Sequence, residues 1–177
     1  MSSPPPTLEM ETGANPRASI IVMHGLGADG SDFAPFVDEI DLAAIGPVRW
    51  LFPNAPQIPV SINGGYVMPA WYDIAADRSR EDEAGLRRSQ ASIDALLPRA
   101  CSRASSANAD APIFLAHGTQ DEMSPLPRAA ASRDALAALG YAVEWHQYPM
   151  GHSVCAPEVQ DVQRWLLRVL DPALDRK

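Results

Sequence analysis

The chain has 177 residues, close to the size of one average domain, and 46% of them are hydrophobic, as in globular proteins. Its formal net charge of −8 argues against a nucleic-acid-binding or anionic-membrane surface, because both need clustered lysine and arginine. Two cysteines are too few for a disulfide scaffold, and no apolar run reaches the roughly 18 residues of a membrane helix. We expect residues 1–6 to form a flexible tail and residues 7–177 a single cytoplasmic domain without a signal peptide.

Apolar strands alternate with helical patterns along the first half of the chain. An edge strand opens at Leu8 and Met10, and the apolar run 19–23 (SIIVM), closed by glycines, predicts a parallel strand buried on both faces. Val48 to Phe52 predicts the next strand. Between these two strands, apolar residues at helical spacing predict a helix capped by Ser31 or Asp32: Phe33, Phe36, Val37 and Ile40.

A proline- and glycine-rich segment precedes the next helix. Residues 53–72 (PNAPQIPVSINGGYVMPAWY) predict an irregular loop, and so long a loop inside a compact domain is usually functional. The helix after it is expected between the acidic start at Glu81 and the stop at Pro98. Its apolar face consists of Leu86, Ile93, Leu96 and Leu97.

The second half of the chain repeats the alternation after a polar linker at residues 100–110 (ACSRASSANAD). Two more strands are expected at residues 112–116 and 143–148, the first of them buried. Helices are expected from Leu126 to Gly140 and from Pro157 onward. Strands that alternate with helices predict an α/β protein with a mostly parallel sheet, whose functional sites form at the carboxyl ends of the strands.

Three loops follow strand ends and are therefore expected at the same edge of the sheet. The first, residues 24–27 (HGLG), has glycines that let backbone N–H groups turn toward a ligand oxygen, as an oxyanion hole requires. The second carries Asp121 and the third carries His152. Each loop alone also fits an ordinary turn or cap, but an acid followed by a histidine has the chain order of an α/β-hydrolase. In such a pair the carboxylate fixes the imidazole tautomer and stabilises the imidazolium.

Four segments, IVMHGLGADGSDF, RWLFPNAPQIPVSINGGYVMPAWYDI, HGTQDEMSP and YPMGHSV, resemble the carboxylesterase, lysophospholipase and acyl-protein thioesterase family of serine hydrolases. The resemblance covers most of residues 17–170. It implies an α/β-hydrolase fold with a doubly wound, mostly parallel sheet, and hydrolysis of a small acyl ester or thioester without cofactor or metal. It also implies that Asp121 is the acid, that His152 is the general base and that the backbone N–H of Leu26 donates to the oxyanion. Met68 and Trp71 would border the acyl site.

One part of the family pattern is absent from the sequence. The family carries a nucleophile elbow, G-x-S-x-G, and this chain has no such motif. The helix that ends near Arg99 is followed directly by the linker, so we expect an internal truncation around residues 100–110 that removes the elbow strand, its serine and the next helix. None of the other serines or cysteines sits at a strand-to-helix elbow, which leaves no nucleophile: Ser31, Ser61, Cys101, Ser102, Ser105, Ser106, Ser124, Ser153 and Cys155.

Two functions from different classes stay open on this basis. The first is an ester or thioester hydrolase by family, impaired in this chain because the serine is absent. The second is a non-catalytic descendant that binds an acyl ligand or a partner through the surviving loop and Trp71. A metal-dependent or cysteine hydrolase has little support, because four scattered histidines offer no metal-ligand spacing. Of these, His146 is expected at the surface, and His24 and His117 as hydrogen-bonded structural residues. Homodimerisation is left open.

Overall fold

A computed structural model describes residues 4–77, 81–96 and 111–170 of the chain. The chain divides into two units: unit 1 comprises residues 1–38 and 46–104, and unit 2 comprises residues 39–45 and 105–177. The predicted linker at residues 100–110 and the first half of the predicted tail lie outside the described residues. The single domain over residues 7–177 stays a prediction.

Unit 1 is built on a three-stranded sheet in the order β1-β3-β2. Its strands are β1 (Thr7–Glu11), β2 (Ala18–Ile21) and β3 (Val48–Pro53). β1 pairs antiparallel and β2 parallel with β3, so β3 is central, and its side chains at Val48, Leu51 and Phe52 are fully buried. The predicted strands are thereby confirmed, and their apolar side chains form the core of this unit.

The predicted first helix is two short pieces, a 3₁₀ turn (Gly30–Phe33) and α1 (Phe36–Glu39). The predicted cap was wrong, because Asp29 is the cap: its carboxylate accepts from the N–H of Ser31 at 2.7 Å. Asp32 closes the capping box by accepting from the N–H of Asp29 at 2.9 Å. The two acids therefore satisfy the backbone donors at the start of the turn.

The irregular loop predicted for residues 53–72 was also wrong, since it contains a hairpin. Strand β4 (Gln57–Val60) pairs antiparallel with β5 (Tyr66–Pro69) through a 3₁₀ turn (Ser61–Asn63). Gly64 and Gly65 follow that turn with φ of 67° and 82°, a left-handed conformation that favours glycine. Gly64 and Gly65, which argue against regular structure in the sequence, are therefore the residues that allow the hairpin to turn.

Helix α2 (Glu83–Asp94) completes the described part of unit 1 and takes Asp82 as its cap. Gly85, Ser89 and Leu96 are buried, whereas Leu86, placed on the apolar face by its spacing, is exposed. Small side chains face inward because a Cβ at Gly85 would already meet the backbone of Tyr72 at 3.2 Å. Leu97 and Pro98 lie outside the described residues.

Unit 2 contains the parallel pair β6 (Ile113–Gly118) and β7 (Val143–Tyr148), joined by α3 (Leu126–Ala138). Helix α4 (Ala156–Val169) follows β7, and residues 39–45 belong to this unit, where the N–H of Asp41 donates to Gln163 at 3.0 Å. The predicted strands and helices of this half are confirmed. None of the described helices is long and apolar enough to cross a membrane.

The expected burial of β2 and β6 on both faces was wrong. Both strands are only half-buried over most of their length, and Met23 just beyond β2 is exposed. Among the described residues, β2 pairs with β3 alone and β6 with β7 alone. Within the described ranges each strand therefore has one paired neighbour rather than two, so fewer of its side chains are covered.

Candidate active site

The acid predicted at Asp121 lies in a tight turn after β6. Its Oδ1 accepts from the backbone N–H groups of Met123 and Ser124, both at 2.9 Å. The side chain is only 6% exposed. The N–H of Ser124, followed by the hydrogen bond from His152, holds the pKa of Asp121 below its usual range. The turn therefore stabilises the charged form of the Asp121 carboxylate.

The structure brings Asp121 and His152 together across 31 residues of chain. Nδ1 of His152 donates to Oδ2 of Asp121 at 2.9 Å, which leaves Nε2 as the acceptor of the ring. The His152 side chain is 66% exposed, and no described residue bonds to its Nε2. A carboxylate that binds Nδ1–H and an accessible Nε2 is the arrangement of a general base.

Gly118 lets the two loops that carry this pair approach each other. A Cβ at Gly118 would lie 2.5 Å from the carbonyl oxygen of Gly151 and closer still to that of Met150. Two backbone hydrogen bonds tie the loops at the same place, from Thr119 to Tyr148 at 2.8 Å and from Gln120 to Met150 at 3.0 Å. Only glycine fits at position 118 without separating the two loops, so the Asp121–His152 hydrogen bond depends on it.

In unit 1, the loop predicted as an oxyanion hole is held by His24. This buried ring accepts from the N–H of Ala55 at Nε2, at 2.9 Å, and therefore carries its hydrogen on Nδ1, 2.7 Å from the carbonyl oxygen of Gly25. Gly27 has φ of 76° and its N–H donates to Pro69 at 2.9 Å. Among the described residues no group accepts from the N–H of Leu26.

The residues predicted at the acyl site lie beside this loop. Nε1 of Trp71 donates to the carbonyl oxygen of His24 at 2.9 Å, and the two rings are 5.3 Å apart. The Sδ of Met68 lies 3.7 Å from the position of a Cβ at Gly27. Unit 1 thus places Leu26, Met68 and Trp71 around one loop, and its exposed Leu26 side chain adds apolar surface there.

Two of the serines rejected as nucleophiles lie in local hydrogen bonds with carboxylates. Ser31 donates to Asp29 at 2.5 Å, and Ser61 donates to Asp73 at 2.7 Å. Neither bond involves a histidine, so neither hydroxyl belongs to a serine–histidine pair of the kind that activates a nucleophile. Cys101, Ser102, Ser105 and Ser106 lie outside the described residues.

The histidines outside the pair have specific partners. His146 was expected at the surface but is half-buried: its ring stacks on Phe114 with a centroid distance of 4.7 Å and binds Glu144 at 3.0 Å. His24 and His117 were expected as hydrogen-bonded structural residues, and both rings form such bonds, His24 within unit 1 and His117 within unit 2. The sequence did not reveal that Nε2 of His117 lies 3.8 Å from Oδ2 of Asp121. Both histidines occupy a His-Gly pair at the end of a strand, and this repeated pair is the signal that marks them.

Comparison with known proteins identifies the group to which the chain is similar. Residues 9–108 and 95–170 match the profile of the phospholipase/carboxylesterase family. Acyl-protein thioesterase 1 of Neurospora crassa is 29% identical, with 97% of this chain and 94% of the relative covered. The relative of the same name in Yarrowia lipolytica is 28% identical, over 92% of this chain and 96% of its own length.

Solved structures show the same fold. The crystal structure of Zea mays acyl-protein thioesterase 2 matches with a TM-score of 0.83 at 21% identity, over 94% of this chain and 99% of that one. A Bacillus cereus carboxylesterase matches with a TM-score of 0.66 at 15% identity, over 90% of this chain and 92% of that one. The fold is that of the α/β-hydrolases, and the chain belongs to the phospholipase/carboxylesterase family.

Proposed function

We propose that this protein is an acyl ester or thioester hydrolase by descent and that the present chain lacks the nucleophile needed for turnover. The family match and the relatives named acyl-protein thioesterase support the substrate class. The hydrogen bond between Asp121 and His152 carries the proposal, because it preserves an acid–base pair with an accessible Nε2.

In the intact reaction each of the proposed site residues has one role. His152 takes the proton of the attacking serine and later gives it to the leaving group, while Asp121 stabilises the imidazolium formed in between. The N–H of Leu26 donates to the oxyanion, and Met68 and Trp71 border the acyl chain. Water releases the acyl group, so the reaction requires no cofactor. We further propose that the chain acts in the cytoplasm.

The missing nucleophile has support in the sequence and in its alignments. No G-x-S-x-G occurs in the chain. The match with the Neurospora crassa relative extends over 231 aligned positions, but 97% of 177 residues is only about 172, so about 59 positions have no counterpart here. Loss of the serine alone costs about a million-fold in kcat in a serine protease triad, and the N–H after the serine, a second oxyanion donor, is lost with it.

Insertion of the family's elbow segment between Arg99 and Asp110 tests the proposal. The extended chain should hydrolyse a p-nitrophenyl ester, and His152→Ala should abolish that activity. The unmodified chain should show neither activity nor labelling by a fluorophosphonate. Family-like hydrolysis by the unmodified chain that His152→Ala removes would overturn the missing nucleophile, and an inactive but folded extended chain would overturn the assignment as a hydrolase.

A second function, binding of an acyl ligand without turnover, is favoured by one observation. The Leu26 loop, Met68 and Trp71 keep their mutual contacts although the serine motif is absent. Titration with a non-hydrolysable acyl ester, followed by tryptophan fluorescence, should then saturate. Trp71→Phe should remove the fluorescence change, and a signal unaffected by this substitution would exclude the site.

A further inference from the structure

We propose that His117 is a positioning residue that holds the turn from Asp121 to Ser124 and thereby sets the orientation of the acid toward His152. The inference rests on the proposed role of Asp121 as the acid of the pair. It concerns a histidine whose polar contacts are with Ser124 and Asp121.

The first support is the hydrogen bond of the His117 ring to the turn. Nε2 lies 2.7 Å from the carbonyl oxygen of Ser124, and because a carbonyl oxygen only accepts, this nitrogen carries a hydrogen. The N–H of the same residue, Ser124, donates to Oδ1 of Asp121 at 2.9 Å. The carbonyl oxygen of Ser124 therefore accepts from the His117 ring, while the N–H of Ser124 donates to the carboxylate of Asp121.

The second support is the position of the ring relative to the acid. Nε2 of His117 lies 3.8 Å from Oδ2 of Asp121, the oxygen that accepts from His152 at 2.9 Å. The His117 side chain is 12% exposed and the Asp121 side chain 6% exposed, so the two groups share a shielded environment. A ring in this position restricts rotation of the carboxylate and keeps Oδ2 directed at His152.

The energetic consequence follows from the role of Ser124. Its N–H is the first cause of the lowered pKa of Asp121, ahead of the bond from His152. If the ring at position 117 no longer holds Ser124, the N–H loses its alignment and the carboxylate is stabilised less. A change at His117 should therefore reach Asp121 through the turn.

The test compares side chains that keep or lose the Nε2 donor in the full chain. His117→Gln carries an amide N–H near the position of Nε2, whereas His117→Leu has similar bulk without a donor. Carbon-13 NMR of the Asp121 carboxyl group should give a pKa that rises toward the usual aspartate range in His117→Leu and stays low in His117→Gln. The amide resonance of Ser124 should shift only in His117→Leu.

A matched control is His146→Leu, because His146 lies on β7 and contacts Glu144 rather than the turn. It should leave the titration of Asp121 unchanged. An unchanged Asp121 titration in folded His117→Leu, or an equal effect of leucine and glutamine, would overturn the proposal. If His117→Leu does not fold, His117→Asn provides the comparison with glutamine, because its shorter amide does not reach Ser124. None of these readouts needs turnover, so failure here is distinct from failure of the hydrolase assignment.

Discussion

Replacement of Gly118 by alanine should separate the two loops that hold the acid and the base. The new Cβ would lie 2.5 Å from the carbonyl oxygen of Gly151, whereas ordinary contacts of this kind are 3.4–4 Å. The backbones must therefore move apart by about 1 Å, since overpacked sites relax through shifts of this kind. The Asp121–His152 bond of 2.9 Å would then exceed hydrogen-bonding distance.

The expected decrease in the free energy of unfolding can be estimated from the steric overlap at the new Cβ. Overpacking of this kind typically costs about 1–3 kcal/mol, and the backbone bonds from Thr119 and Gln120 lie at the same place. In a chain of this size each kcal/mol lowers Tm by roughly 2–4 °C. Urea unfolding measures the free energy of unfolding, and NMR titration of Asp121 reports loss of the bond to His152 as a rise in the Asp121 pKa.

Gly151→Ala is a matched control on the facing loop. A Cβ there has its nearest neighbour, the carbonyl oxygen of Gln120, at 3.7 Å, which is an ordinary contact. The substitution should leave stability unchanged or raise it slightly, because alanine restricts the unfolded chain more than glycine. Wild-type stability and an unaltered Asp121 titration in Gly118→Ala would refute the close-approach argument, as would equal losses in the two variants.

Three further measurements follow from the charged groups and the missing nucleophile. Burial raises the pKa of Glu158 above its usual 4.5, so the charged form of this side chain opposes folding. The free energy of unfolding therefore decreases as pH rises from 4.5 through the raised pKa. Glu158→Gln should therefore increase the free energy of unfolding at pH 7, and a decrease would contradict this. The pKa of Asp121 is lowered from 3.8, so its contribution is present above that pH and is lost as pH falls through the lower value. Asp121→Asn should accordingly destabilise the chain at neutral pH and not at pH values below the folded pKa; an equal loss in strong acid would argue against the charge. A fluorophosphonate should label no serine, and a stoichiometric adduct mapped by peptide mass would reveal a substitute nucleophile.

Much of the architecture could be predicted from apolar patterning. Strand β7 and helices α3 and α4 occur where the spacing of their apolar residues placed them. The encounter of Asp121 with His152 followed from the rule that neighbouring parallel strands end at one edge of the sheet. These features depend on local pattern and topology, which a single sequence contains.

The features that were missed depend on contacts between distant segments. The hairpin of β4 and β5 was obscured by the glycines and prolines that form its turn and its edges. The exposure of Leu86 arises because Gly85 faces the backbone at Tyr72, a contact that helical spacing does not reveal. Gly118 likewise gives no sequence signal of its role, since the carbonyl oxygens that exclude a side chain come from residues more than thirty positions away.

The half-buried strands β2 and β6 have a consequence for how this chain behaves in a crowded solution. Each has a single partner within the described residues, and each belongs to an apolar segment with little charge. Such segments are templates for pairing between molecules, and natural proteins normally cover them or place charges on them. We therefore expect the chain to aggregate increasingly with concentration. In a cell, its abundance would be set by chaperones and proteases as much as by its synthesis.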